Sequence, residues 1–141
     1  MADKDYSSTP LWKKLGLREG SRVLLVHPPV GFTQRLAPLP ADATLLTRAS
    51  KQLDVVVLFV TKRAELQRRF PALARSIRPA GRLWVAWPKK DTDLSTDIAF
   101  ADAQRIGLSA GLVDNKSASV TQAFQGLQFV VRSKDRPPPV P

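Results

Sequence analysis

Three short segments of this chain carry the side chains from which a site could be built: His27 in His27-Pro28-Pro29, the pair Thr61 and Lys62, and Trp87-Pro88-Lys89-Lys90. Each directly follows an apolar run of strand character. A histidine, a hydroxyl at a helix start and ammonium groups, with a tryptophan beside them, suit an anion. His27, Thr61, Lys62, Trp87, Lys89 and Lys90 are therefore the candidate ligand-binding residues. No catalytic set accompanies them. His27 is the single histidine, which excludes an imidazole metal cluster, and no acid near it in sequence orients it as a base. A structural or exposed role is expected for it. Asp91, Asp93 and Asp97 are spaced like part of a calcium loop, but the required glycine and terminal glutamate are missing. Solvation and capping account for them, and no metal site is assigned. Asp54 begins a strand, at the edge of the sheet opposite the expected site, and Trp84 and Trp87 belong to a core strand.

The elements that must position these residues are clearest between residues 54 and 90. Residues 54–60 are a β-branched and aromatic run, as expected of a strand buried on both faces. Thr61 offers a helix N-cap oxygen, and Leu66, Phe70, Leu73 and Ile77 share one helical face. Pro79-Ala80-Gly81 stops that helix, and residues 82–87 form a second apolar strand. Two strands joined by a helix lie parallel, with a right-handed crossover. Ligands in such open α/β sheets bind beyond the carboxyl ends of the strands, at the topological switch point, so the three segments are expected to converge.

Upstream, Thr9 is expected to cap a short helix with Pro10 at its first position and Gly16 at its end; Lys13 and Lys14 face outward. Residues 22–27 form a first strand. Residues 28–42 hold four of the twelve prolines and a short helix near 32–37. Residues 43–47 form a strand, but too few residues follow for a helical crossover before residue 54. That segment is therefore expected as an antiparallel or irregular edge. Downstream, Ser95 or Thr96 caps a helix carrying Ile98, Ala99, Ala103, Ile106 and Ala110. Residues 112–120 and 126–132 then pair as an antiparallel hairpin.

A chain of 141 residues with 43% hydrophobic content makes one domain, able to bury about two-thirds of its unfolded surface. Residues 1–8 are expected to be mobile, 9–132 to form the α/β domain, and 133–141 to be a Pro-rich disordered tail whose Pro138 and Pro141 could dock an aromatic groove. Without cysteine there is no disulfide or thiolate chemistry. No apolar run reaches ~18 residues, and the polar N-terminus lacks a signal peptide's apolar segment, so a soluble cytoplasmic protein is expected. The formal charge is +10, and residues 62–90 hold nine basic residues against one acid, Glu65. Such a field favours an anionic small molecule or an acidic protein as partner, although Arg68 and Arg75 also solvate an outer helix face.

This order of elements resembles the second half of the Rossmann-like methyltransferases. Residues 77–83, Ile-Arg-Pro-Ala-Gly-Arg-Leu, are similar to the turn before their fifth strand; residues 110–114, Ala-Gly-Leu-Val-Asp, are similar to the turn that opens their terminal hairpin. More narrowly, residues 6–11, 14–16, 58–66, 87–90 and 126–130 resemble an uncharacterised family of small bacterial proteins with this fold. The resemblance implies an α/β, single Rossmann-like domain, a truncated methyltransferase fold with a mixed sheet and a C-terminal antiparallel hairpin. Binding of S-adenosylmethionine in that fold needs an acidic, glycine-rich turn after the first strand. Residues 26–31 read Val-His-Pro-Pro-Val-Gly there, with one glycine, no acid, and two prolines that delete N–H donors. The acid expected after the second strand is also missing, Thr47 and Arg48 standing there. No cofactor is therefore expected. The leading expectation is a non-catalytic binding or regulatory module with a basic site. The alternative is a degenerate S-adenosylmethionine-dependent methyltransferase-like enzyme. Weak non-specific nucleic-acid binding ranks last, since no recognition motif or interleaved aromatics are present.

Overall fold

Strand β3 (Leu53–Phe59) is apolar at every position but Asp54, and buried at every other one. Such a strand must be covered on both faces, and it sits inside a six-stranded sheet of order β2-β1-β3-β4-β6-β5. The computed structural model describes residues 9–135. β1 (Arg22–Val26) and β4 (Ile77–Pro88) flank β3, both parallel to it. The hairpin of β5 (Leu112–Ser119) and β6 (Phe124–Val131) is antiparallel and joins through β6 to β4. The sheet is thus mixed, as expected.

β2 (Thr44–Leu46) corrects one expectation: it pairs with β1 in parallel, not as an antiparallel or irregular edge. The missing crossover was argued for a full-length strand, but β2 has three residues. Leu24 is level with both Leu46 and Val56, so the return to Leu53 descends only about 10 Å, at ~3.3 Å per residue. Residues 47–52, extended, reach about 20 Å, enough to pass beneath β1 without a helix.

Period-two alternation along β3 divides the core. Val56 and Leu58 face Leu66 and Phe70 of α3 (Arg63–Ser76) and Ala103 and Ile106 of α4 (Phe100–Ser109). Val55, Val57 and Phe59 face the other way. There α1 (Leu11–Leu15) and α2 (Phe32–Leu36) contribute Leu15, Phe32 and Leu36, with Trp12 packed alongside. Leu66, Phe70 and Leu73 lie on the predicted stripe. Ile77 is instead the first residue of β4, opposite Leu53, in the same core.

The helix starts differ from the expected caps. α3 begins after Lys62 with no side-chain cap from its own flank. Asp97, reaching over from the loop before α4, accepts the Arg63 N–H at 2.7 Å. Thr61 is not a cap; its carbonyl accepts the Thr96 hydroxyl at 2.7 Å. α4 starts after Ala99, not at Ser95 or Thr96, and the Asp102 carboxylate accepts the Ala99 N–H at 2.9 Å. Pro10, not Thr9, stands at the α1 N-cap. A 3-10 turn covers Ser133–Asp135, the first three residues of the expected tail. The expectations for residues 1–8 and for Pro138 and Pro141 lie outside the described residues.

Asp102 has an acid-stability consequence. The Ala99 N–H, above all, holds its carboxyl below the usual value; burial opposes this, and Arg105 and Arg63 add to it. A folded-state pKa below the unfolded one stabilises at pH above about 4, and that contribution disappears as pH falls through the folded value. Urea titrations from pH 7 to pH 3 should therefore bring the parent towards Asp102→Asn as the medium acidifies. A stability gap that stays constant over that range would contradict this.

Candidate anion-binding site

β4 runs one residue past Trp87, and its register against β6 places Trp87 opposite Gln125 and Pro88 opposite Phe124. The Lys89 N–H then donates to the Ala123 carbonyl at 2.8 Å, which fixes the lysine at the sheet edge. Its Nζ donates to Ser119 Oγ at 2.7 Å. Lys14, expected to face outward, reaches the Ser119 carbonyl at 3.4 Å. Lys116 Nζ donates to the Lys14 carbonyl at 2.9 Å and stands 5.8 Å over the Trp84 ring. Lysines from α1, β5 and the residue after β4 thus gather around the end of β5. Every ion pair between described residues uses arginine or histidine as the cation, and none uses lysine.

A groove of about 510 Å³ opens there, lined by Lys89, Lys90, Phe100, Ser117, Ser119 and Gln125 among others, with no carboxylate. A second cavity of about 360 Å³ shares Lys90, Phe100 and Gln125 with it. Trp87, Thr96, Asp97 and Ile98 are among its other walls. Both volumes fall within the roughly 300–1,000 Å³ of small-molecule sites.

The first strand's tip is arranged separately. His27 has φ 55, a left-handed conformation uncommon outside glycine. Its Nδ1 lies 3.4 Å from Glu65 Oε2, and the same oxygen accepts Arg69 Nε at 2.8 Å. An acid therefore does stand beside the histidine, which the sequence reading had not expected. Glu65 comes from the first turn of α3, where the β3 exit brings it alongside the β1 tip. Separated from His27 by a strand, a loop and β3, it gave only one hint, as the single acid of residues 62–90.

Among the six predicted residues, Trp87 and Lys90 line the second cavity, and Lys89 and Lys90 the groove. Thr61 joins them indirectly through Thr96, another wall of that cavity. Lys62 is exposed at the start of α3, and His27 is held at Glu65. Ser117, Ser119, Phe100 and Gln125 were missed, because only the hairpin register brings them to the β4 tip.

The bend after β1 does not fit a bound S-adenosylmethionine. Pro28 and Pro29 supply no N–H, and the Phe32 N–H is committed to the Pro29 carbonyl at 3.0 Å. Gly31 has φ 86, but a Cβ there would meet nothing within 4 Å, so no close approach requires it. α2 has five residues, too short to aim a helix dipole at a ligand.

No protein-family model matches the chain, and no curated protein matches its sequence. Solved structures resemble it widely. A SAM-dependent methyltransferase from Aquifex aeolicus superposes with a TM-score of 0.61 and 16% identity, over 86% of this chain and 88% of that one. Magnesium protoporphyrin IX methyltransferase from Synechocystis, solved with bound SAH, has a TM-score of 0.57 and 12% identity, over 93% and 84%. A possible exported protein from Bordetella parapertussis has a TM-score of 0.64 and 12% identity, over 87% and 66%. Among the described residues no helix is long and apolar enough to cross a membrane. At these identities the likeness reports architecture alone: the chain has the Rossmann-like methyltransferase fold in a short form.

Proposed function

We propose that this domain is a binding or regulatory module that uses the methyltransferase-like sheet to hold an anionic ligand, or the acidic group of a protein partner, in the groove at the end of β5. One observation carries the reading. Lys89, Lys90, Ser117 and Ser119 line the groove with no carboxylate among its walls, and among the described residues no lysine is spent on an ion pair. Ammonium groups with no carboxylate beside them, next to the Ser117 hydroxyl, attract an anion and hydrogen-bond it. Lys89 is also pre-positioned by its backbone bond to Ala123, which lowers the ordering cost of binding.

A second reading, a methyltransferase-like enzyme, is favoured by the neighbours that are SAM-dependent methyltransferases. The proline-bearing bend after β1 weighs against it. One thermal-shift experiment separates the two, since a ligand of the native state raises its melting temperature by mass action. Inorganic phosphate at millimolar concentration should raise Tm in the parent, with sodium chloride at equal ionic strength as control. The Lys89→Ala/Lys90→Ala variant should lose that rise. S-adenosylmethionine and S-adenosylhomocysteine should give no more than phosphate-free buffer. An unchanged phosphate response in the double variant removes the groove, and a large shift with S-adenosylmethionine alone transfers the assignment to the enzyme.

A further inference from the structure

The groove and the cavity beside it differ in polarity in a way that specifies a ligand class. The groove presents donors: the ammonium groups of Lys89 and Lys90 and the hydroxyl of Ser117, while Ser119 Oγ orients Lys89 by accepting its Nζ and donates its own proton to the Thr121 carbonyl at 2.9 Å. The cavity shares Lys90 with the groove and adds acceptors between apolar walls. Asp97 lines it and is engaged through Oδ1 by the Arg63 N–H, leaving its second oxygen as an acceptor. Gln125 lines both spaces; its Nε2 is turned onto the Pro88 carbonyl at 3.3 Å, so its Oε1 remains to accept. Trp87, Pro88 and Ile98 are buried apolar walls, whereas Phe100 is 44% exposed although it opens a helix and touches the Trp87 ring edge-on at 6.3 Å. A large apolar ring left half in water at the junction of two cavities is available to stack on a flat ligand.

From these features we infer that the two spaces form one bipartite site for a nucleoside monophosphate-like ligand: a phosphate held by the lysines and the Ser117 hydroxyl, joined to a planar heterocycle with N–H donors that lies against Phe100 and faces Asp97 and Gln125. A simple anion would leave the cavity unused. A ligand with an anionic group at each end would set one of its charges against Asp97. The assignment rests on the anion-binding reading and adds the ring to it. It also sits at β4, β5 and the loop before α4, away from the β1 bend.

The experiment is a calorimetric titration with four probes: inorganic phosphate, ribose 5-phosphate, adenosine and adenosine 5′-monophosphate. The nucleotide should bind at least tenfold more tightly than ribose 5-phosphate or adenosine. Phe100→Ala, at an exposed position, should bring the nucleotide down to the affinity of ribose 5-phosphate while leaving phosphate binding intact. Lys89→Ala/Lys90→Ala should bring it down to the affinity of adenosine. Equal affinity for the nucleotide and ribose 5-phosphate in the parent overturns the bipartite site while the anion groove stands. Failure of all three phosphate-bearing probes to bind overturns both readings. Thermal melts of each variant without ligand confirm that it is folded.

Discussion

Replacing Trp84 by alanine should bring the domain to the edge of unfolding at 25 °C. Trp84 is 0% exposed and lies in the core between β3 and the α1 layer. Its Nε1–H donates to the Leu15 carbonyl at 3.0 Å, so the ring both fills the core and ties down the end of α1. Removing a buried tryptophan costs about 3–5 kcal/mol. The stranded Leu15 carbonyl adds about 1–3 kcal/mol where water cannot reach it. Domains of this size have only about 5–15 kcal/mol in total. Trp84→Phe should cost less, since it restores most of the volume and forfeits chiefly the hydrogen bond. Urea denaturation followed by far-ultraviolet circular dichroism measures both. A midpoint for Trp84→Ala within a few tenths molar of the parent would refute the role given to this ring.

Gly107→Ala should destabilise, although helix propensity alone predicts the opposite. Gly107 is buried inside α4, where alanine is ordinarily better by about 1 kcal/mol. A Cβ at this position would run into the Phe129 ring. That ring cannot swing aside: it is fully buried and packs edge-on against Phe70 with centroids 5.1 Å apart. Overpacking a filled core costs about 1–3 kcal/mol, and the contact at Gly107 is closer than a strained rotamer can relieve, so the steric cost wins. Gly107→Ser should behave similarly, whereas Gly111→Ala, where a Cβ meets nothing within 4 Å, should lose only what its φ of 90 demands. A higher melting temperature for Gly107→Ala than for the parent would show that α4 can slide away from the sheet at little cost.

Most of the fold was legible because its signals are local. The apolar run of β3, the Leu66/Phe70/Leu73 stripe and the β5–β6 turn each occupy one window of sequence, and each formed where expected. What was misread depends on contacts between distant segments. Thr61 looked like a cap because a hydroxyl preceded a helix, yet Asp97, 34 residues away from Arg63, fills that position. β2 was placed antiparallel because its length, and with it the reach of residues 47–52, could not be read from composition. The site shows the same division. Lys89 and Lys90 were visible as charges after an apolar strand, whereas Ser119 became their neighbour only through the register of β5 on β6 and β6 on β4. Glu65 was passed over for the same reason: nothing in sequence links it to His27.

β5 also shapes how two copies of this chain can meet. It is one of the two edge strands of the sheet, with Asn115, Lys116 and Ser117 exposed and its pairing with β6 broken by a register shift between Asp114 and Lys116. An unpaired rim is a template for cross-β growth unless something spoils it. Here an irregular backbone would misalign the hydrogen bonds of an incoming strand, and two rims brought together would confront lysine with lysine. The same lysine that borders the proposed site thereby discourages the protein from zipping onto itself.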